Sequence, residues 1–435
     1  MIPQQAKPRQ KCRDLAAGNR VSADLLPQVL DCLAAGPGGR LGVAVSGGSD
    51  SVALLHLMAG HAPLRDAGLY CVTVDHGLRP ESAAEAQFVG ELCRGLDVPH
   101  ETLCWQGWDG RGNTQDAARR ARYSLMADWA HTHGIAAVAL GHTRDDQAET
   151  VLMRLARGAG VDGLSAMAIH RVAHGISWLR PMLGIGREEL REGLRRDGIP
   201  WKDDPGNENT DYDRIRARKA LRDLEPLGID ASRLAMVAAH MADARDVLQH
   251  QTHVAAMELV EVRCGAVCMP WQNLCHLPAE TRRRLVTGIL RWMGGGDYAP
   301  RHSTVAALLA SLQTSGAGTA AGCQALRRGP DLWVFREYAA VRDLTASPDG
   351  VWDHRWTITG PPAPENAVVS AVGAQDLATC AGWRDAGVPH AAMIVTPALR
   401  QDGQLIAAPE AQAVCHWQSG PQSTKDALLS ALLSH

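Results

Sequence analysis

The alternation of apolar and polar positions divides this chain unevenly. Between about residues 40 and 157, short apolar or β-branched runs alternate with stretches of helical period. The strand-like runs are 41–45, 70–75, 101–105 and 135–140. Helical patterns follow each of them, at about 51–59, 83–94, 113–131 and 145–157. This pattern predicts an α/β domain with a parallel sheet, helices on both faces and right-handed crossovers. Ligands of such sheets lie beyond the carboxyl ends of the strands. Residues 46–51, Asp75-His76 and Gly141-His142 all fall on that edge.

Beyond this block the pattern changes. Residues 186–222 read as helical with one polar, turn-rich break at 199–209, and helical periodicity continues from about 228 to 293. Glycines at 294–296 and 316–322 then punctuate the chain, and residues 324–435 mix short apolar runs (332–335, 392–395) with Pro and Gly. The expected division is a first domain over 1–222, a helical domain over 223–310 and a small α+β domain over 311–435.

Composition adds limits. A chain of 435 residues with 46% hydrophobic and 21% charged residues reads as globular, with two or three domains. The polar first twenty residues lack the apolar core of a signal peptide, and no uninterrupted apolar stretch of about 18 residues is present. Eleven scattered cysteines without any C-x-x-C pair fit a reducing cytoplasm rather than a disulfide framework. Cys264, Cys268, Cys275 and His276 form the nearest thing to a metal-ligand set, but their spacing matches no zinc pattern and they read as ordinary side chains. A net charge of −3 neither favours nor excludes nucleic acid, because local patches decide that. Such patches exist at Arg119, Arg120 and Arg122, at Arg282–Arg284, and at 214–222, which holds five cations and no acid.

Candidate chemistry concentrates on the expected sheet edge. Residues 43–51 read V-A-V-S-G-G-S-D-S, a strand feeding a glycine turn feeding a helix. Gly47 and Gly48 let the backbone approach a ligand, and free N–H groups at the helix start favour an anion. Ser46, Ser49 and Ser51 add hydroxyls. The string is not G-x-x-x-x-G-K-[ST], so the usual P-loop is excluded. In the second segment, His142 precedes Asp145, Asp146 and Glu149, acids that share one side of a helix start. Dipole complementarity explains one acid there; three beside a phosphate loop point to a bound Mg²⁺ or ammonium. Arg119 and Arg122 supply planar forks suited to phosphate, with a solvated basic helix as the plain alternative. His76, at the end of the second strand, is placed for a nucleotide's ribose or base, and a structural histidine is equally compatible. On a helix, Arg214, Arg218 and Arg222 form one stripe suited to an RNA backbone or, more simply, to solvent.

Taken in order, S-G-G-S-D-S, V-D-H-G-L-R, G-N-x-x-x-x-A-R-x-A-R-Y, G-H-x-x-D-D-Q-A-E-T-x-L, R-G-A-G-V-D-G-L, R-P-M-L and W-x-D-D-P-x-N resemble the tRNA(Ile)-lysidine synthetases, within the PP-loop ATP-pyrophosphatases. The match covers about residues 38–222, with a weaker likeness from Gly322 to Glu337. The string Arg214-Ile215-Arg216-Ala217-Arg218 departs from the R-N-x-I-R frequent in that family, which weakens the case for an asparagine contact there.

The resemblance implies an adenine nucleotide α-hydrolase-like first domain and ATP bound with Mg²⁺. Ser46, Gly47, Gly48, Ser49, Asp50, Ser51, His76 and His142 would contact ATP, with Asp50 on Mg²⁺ or the phosphates. Asp50, Asp146 and Arg119 would be catalytic, and Asp146 and Glu149 would recognise lysine. Arg122, Arg214, Arg218 and Arg222 would contact tRNA. The implied partners are tRNA(Ile) with a CAU anticodon and free L-lysine, with no membrane; a homodimer is left open. Three rival readings are a tRNA thiolase, which would need the missing C-x-x-C, a small-metabolite adenylating amide ligase, and a catalytically silent RNA binder.

Overall fold

The computed structural model of the chain describes residues 25–34, 36–77, 82–105, 114–202, 213–296, 299–412, 415–420 and 424–433. By compactness the chain falls into two units, 1–245 and 246–435.

The first unit runs α1 (Leu26–Ala34), β1 (Leu41–Ala44), α2 (Ser49–Ala59), α3 (Ala62–Gly68), β2 (Leu69–Asp75), α4 (Ser82–Gly95), β3 (His100–Cys104), α5 (Thr114–Thr132), β4 (Ala137–Leu140) and α6 (Arg144–Leu155). It continues through the short α7 (Val161–Leu164), β5 (His170–Ala173), β6 (Ile176–Leu179), α8 (Arg187–Arg196) and α9 (Asp213–Leu224) into α10 (Ala231–Leu259), within which the unit ends. The sheet order is β3-β2-β1-β4-β6-β5. All neighbours are parallel except the edge strand β5, which pairs antiparallel with β6. The chain moves from β1 outward to β3, then returns to the other side of β1 with β4. The crevice between β1 and β4 is therefore the topological switch point, where sheets of this kind bind ligands.

The predicted α/β block is present, with ends displaced by one or two residues. The β5–β6 hairpin and α3 are additions that the apolar pattern did not reveal. β5 reads His-Arg-Val-Ala and is largely exposed, so it lacks the signature of a buried strand.

Period-two alternation sends each strand's side chains to two cores. Ala137 and Ala139 of β4 join the layer with Val43, Leu54 and Leu55, whereas Val138 and Leu140 join Trp129 and Trp178 on the opposite face. α2 is buried on nearly all sides, which explains its uniformly apolar V-A-L-L-H-L-M. Burying one such leucine contributes about 1.5–3 kcal/mol. Gly42 is required because a Cβ there would lie 2.9 Å from the Trp129 ring. Two further packings position the site: α8 lies against α2, and α9 lies against α6.

The second unit is built differently. β7 (Glu261–Arg263), β8 (Ala266–Pro270), β9 (Ala317–Ala320), β10 (Cys323–Arg328) and β11 (Asp331–Arg336) form an antiparallel sheet in the order β7-β8-β11-β10-β9. Helices Ala279–Gly294 and His302–Thr314 pack on it. Between 228 and 293 the helical periodicity carries few strand signals. β7 and β8 occur there because Cys264 (φ 48°) and Gly265 (φ 70°) make a tight reversal between two short runs. This sheet draws strands from both sides of residue 310, so the division expected at that point runs through it. β12 (Ile358–Thr359) pairs with β16 (Gln418–Ser419), and β13 (Ala367–Ala371), β14 (Pro397–Gln401) and β15 (Gln404–Ala407) form a third sheet. The apolar run 392–395 is not a strand; it begins in a helical turn, His390–Met393.

Among the described residues no group of three or more His, Cys, Asp or Glu is arranged to hold a metal ion, and the described cysteines are all free. Also among them, no helix is long and apolar enough to cross a membrane.

Candidate active site

The loop at 46–51 leaves β1 and enters α2 through Gly47 at φ +90°, in the left-handed region that glycine tolerates. Its internal bonds are short-range. The Ser46 amide donates to Ser51 Oγ (3.1 Å), and Ser51 Oγ donates to the Gly48 carbonyl (3.0 Å). Ser49 Oγ donates to Asp50 Oδ1 (2.9 Å), and the Lys202 amide closes over the loop onto the Gly47 carbonyl (2.9 Å). The end of β4 approaches the same place. A Cβ on Gly141 would sit 2.9 Å from Ser51 Cα, so only glycine lets the two backbones meet.

That approach brings the acid segment to the loop. At the start of α6, the Thr143 amide (2.8 Å) and hydroxyl (3.0 Å) both donate to Asp146 Oδ2. One oxygen of Asp146 thus caps its own helix, and Oδ1 is left for other partners. Asp145 Oδ2 accepts the amide of Arg187 (2.7 Å), capping α8 rather than facing the loop. Glu149 is almost fully buried, with its side chain 1% exposed. Its Oε1 accepts from Arg218 Nε (2.9 Å), while Oε2 is buried with no hydrogen-bond partner.

Arg187 binds the whole cluster together. Its Nε donates to Asp50 Oδ2 (3.0 Å), its Nη2 to Asp146 Oδ1 (3.0 Å) and its Nη1 to Glu149 Oε1 (3.3 Å). Sequence reasoning missed this residue. A signal was available: a cation at the first position of a helix opposes the dipole, so the arrangement requires local anions. Two like charges ~5 Å apart at an effective dielectric of ~20 repel by about 3 kcal/mol, so three converging carboxylates need a cation. The pKa directions follow. Burial would lower Arg187, but Asp146, Asp50 and Glu149 hold it above the ordinary arginine value. Burial raises Asp50 despite Arg187. Asp146 stays below the usual carboxylate range, because Arg187 and the Thr143 amide outweigh its burial. Arg191 also reaches the loop, its Nε donating to Ser49 Oγ (3.2 Å).

The two candidate histidines are neutral near pH 7. Burial, reinforced by Arg122, pushes His76 down to about 4; burial pushes His142 down to about 3 despite nearby Asp146. His76 Nε2 accepts from Arg122 Nε (3.2 Å) and lies 3.0 Å from its Nη2. The Nδ1 atoms of both histidines are buried without partners.

The structure therefore brings together Ser46, Gly47, Gly48, Ser49, Asp50, Ser51, Asp146, Glu149 and Arg218 at the switch point. Arg218 turns onto Glu149 instead of an outward stripe, while Arg214 and Arg222 are exposed on the same helix. Arg122 pairs with His76. Arg119 lies over the Tyr123 ring (5.6 Å) and acts on His142 through its charge. Leu78, Arg79, Gly112, Asn113 and 203–212, which carry parts of three motifs, lie outside the described residues.

Comparison with known proteins places the chain in a family. A PP-loop domain model matches residues 24–225. A tRNA(Ile)-lysidine synthase of Ruegeria pomeroyi is 47% identical over 412 residues, covering 95% of this chain and 98% of that protein. One from Rhizobium meliloti is 34% identical and covers 88% of each chain. One from Rhodopseudomonas palustris is 41% identical over 280 residues, 63% of this chain and 80% of its own. The phosphate loop, the acid helix and the likeness to the Ruegeria pomeroyi protein over 95% of the chain converge: the chain belongs to the tRNA(Ile)-lysidine synthase family.

Proposed function

We propose that this ATP-using ligase joins free L-lysine to the wobble cytidine of tRNA(Ile) with a CAU anticodon, through an adenylated cytidine. The observation that carries this reading is Glu149 Oε2, a buried carboxylate oxygen without a partner beside a phosphate loop. An unpaired buried acceptor is costly, and an incoming ammonium would satisfy it.

The first step is attack of the cytidine carbonyl oxygen on the α-phosphorus, with pyrophosphate leaving. The N–H groups at the start of α2 would face the charge that grows on pyrophosphate, and the hydroxyls of Ser46, Ser49 and Ser51 would join them by turning from their partners within the loop. Neutral His76 and His142 each offer an unpartnered buried ring nitrogen to the nucleotide without adding positive charge. Asp50 fits Mg²⁺, which takes one or two carboxylates together with phosphate oxygens and would there neutralise phosphate charge. In the second step a lysine amine attacks the activated ring carbon, the carbon–oxygen bond to AMP breaks, and the amine gives up a proton. Asp146 Oδ1 and Glu149 hold the amino acid by its cationic amine, while the attacking amine must be neutral. Arg214 and Arg222, with the second unit, grip tRNA mainly through phosphates and shape. A cytoplasmic setting suits the free thiols.

Incubation with ATP, labelled lysine and the CAU-anticodon tRNA(Ile), followed by digestion to nucleosides, tests the proposal. Label in a modified cytidine is the expected result. Label absent from every nucleoside, with AMP still formed, overturns it.

A further inference from the structure

The three carboxylates held by Arg187 have different tasks under the proposed function. Asp50 belongs to the nucleotide side, whereas Asp146 and Glu149 belong to the amine side. Yet one guanidinium neutralises all three, through Nε to Asp50, Nη2 to Asp146 and Nη1 to Glu149. Its backbone is pinned at the start of α8, where Asp145 accepts its amide. Its side chain is mostly buried, so the charge cannot simply drift into solvent.

We infer that Arg187 is a stand-in cation that couples the two half-sites: in the free enzyme it holds Asp146 Oδ1 and Glu149 Oε1, which the ammonium would share with the unpartnered Glu149 Oε2, and it leaves them when nucleotide arrives. The argument rests on the amine-site reading given above. Nucleotide phosphates bring negative charge to the loop, and their metal competes for Asp50. Both effects draw the guanidinium away from Asp146 and Glu149 toward the phosphates. The amine position then opens, and Glu149 keeps Arg218 as a second cation that preserves its orientation. Nucleotide and lysine should thus bind with positive coupling, and linkage makes the effect reciprocal. Arg187 acts here as a positioning residue whose two positions are the two states of the site.

The test is calorimetric titration of lysine into the full-length protein with Mg²⁺, with and without the α,β-methylene analogue of ATP, for wild type, Arg187→Gln and Arg187→Lys. Circular dichroism checks folding, and titration of the analogue alone checks the loop. In wild type the analogue should tighten lysine binding by at least ~5-fold. In R187Q the factor should fall below about twofold, because lysine already binds well without nucleotide. R187K should lie between, since one ammonium cannot span three carboxylates. An R187Q factor equal to wild type, or a wild-type factor below about twofold, overturns the inference while lysine binding itself survives. Lysine binding to none of the three proteins under any condition, with the analogue bound, removes the amine site and this inference with it.

Discussion

Each unit contains a buried or part-buried cluster of arginines and carboxylates, and the two clusters are opposite in balance. In the second unit, Asp353 is enclosed by Arg336, at 3.0 Å, and Arg355, at 3.6 Å. Arg355 also donates to the Gly265 carbonyl (3.0 Å) and lies between the Trp292 and Trp356 rings. The single acid is saturated, and the strand, the turn and the indoles close around it. At the switch point of the first unit three acids converge on Arg187, the cluster sits at the sheet edge, and one carboxylate oxygen has no partner. A network whose one acid is fully neutralised ties a fold together, even with Arg355 Nε left without a hydrogen-bond partner. A network with an unpartnered carboxylate oxygen beside a phosphate loop fits the proposal of ligands of both signs.

That contrast is open to direct attack. The largest effect is expected from Asp50→Ala, which should lower tRNA-dependent pyrophosphate exchange by at least ~100-fold while tRNA affinity stays within about twofold. Equal loss of both would mean that the acid cluster is structural, like its counterpart. Asp353→Ala should do the reverse. It leaves two buried arginines uncompensated and should destabilise the second unit by about 3–5 kcal/mol in denaturant unfolding. Pyrophosphate exchange per folded molecule at low temperature should stay within about twofold. Glu149→Ala should raise the lysine concentration for half-maximal rate by at least ~10-fold with the ATP requirement nearly unchanged, a difference of about 1.4 kcal/mol. An unchanged lysine requirement would remove Glu149 from the amine site. The smallest effect belongs to Arg222→Glu on the exposed side of α9. It should weaken tRNA binding and flatten the slope of log K against log salt by about 0.7–1.8.

The sequence revealed much of the first unit, because its strands are short apolar runs whose turns carry chemistry. S-G-G-S-D-S and G-H-x-x-D-D-Q-A-E lie at consecutive positions on one sheet edge, so local pattern was enough to bring them together. The partners of Arg187 could not be read from the sequence, for a physical reason. Its partners lie 137, 41 and 38 residues away, and only the packing of α8 on α2 brings it over the loop. Arg218 was read as a member of an outward stripe, because helical spacing cannot say that α9 would press one of its arginines against a buried glutamate on α6. The second unit was read poorly. β7 and β8 are a short hairpin between helices, and the other partner of β8, β11, lies some sixty residues later.

The most direct test of the central claim is exchange of labelled pyrophosphate into ATP by the purified protein, with and without CAU-anticodon tRNA(Ile) and in the absence of lysine. The account predicts exchange that requires the tRNA and proceeds without lysine, because the base is adenylated before the amine acts. Exchange without tRNA, or release of orthophosphate in place of pyrophosphate, would contradict it.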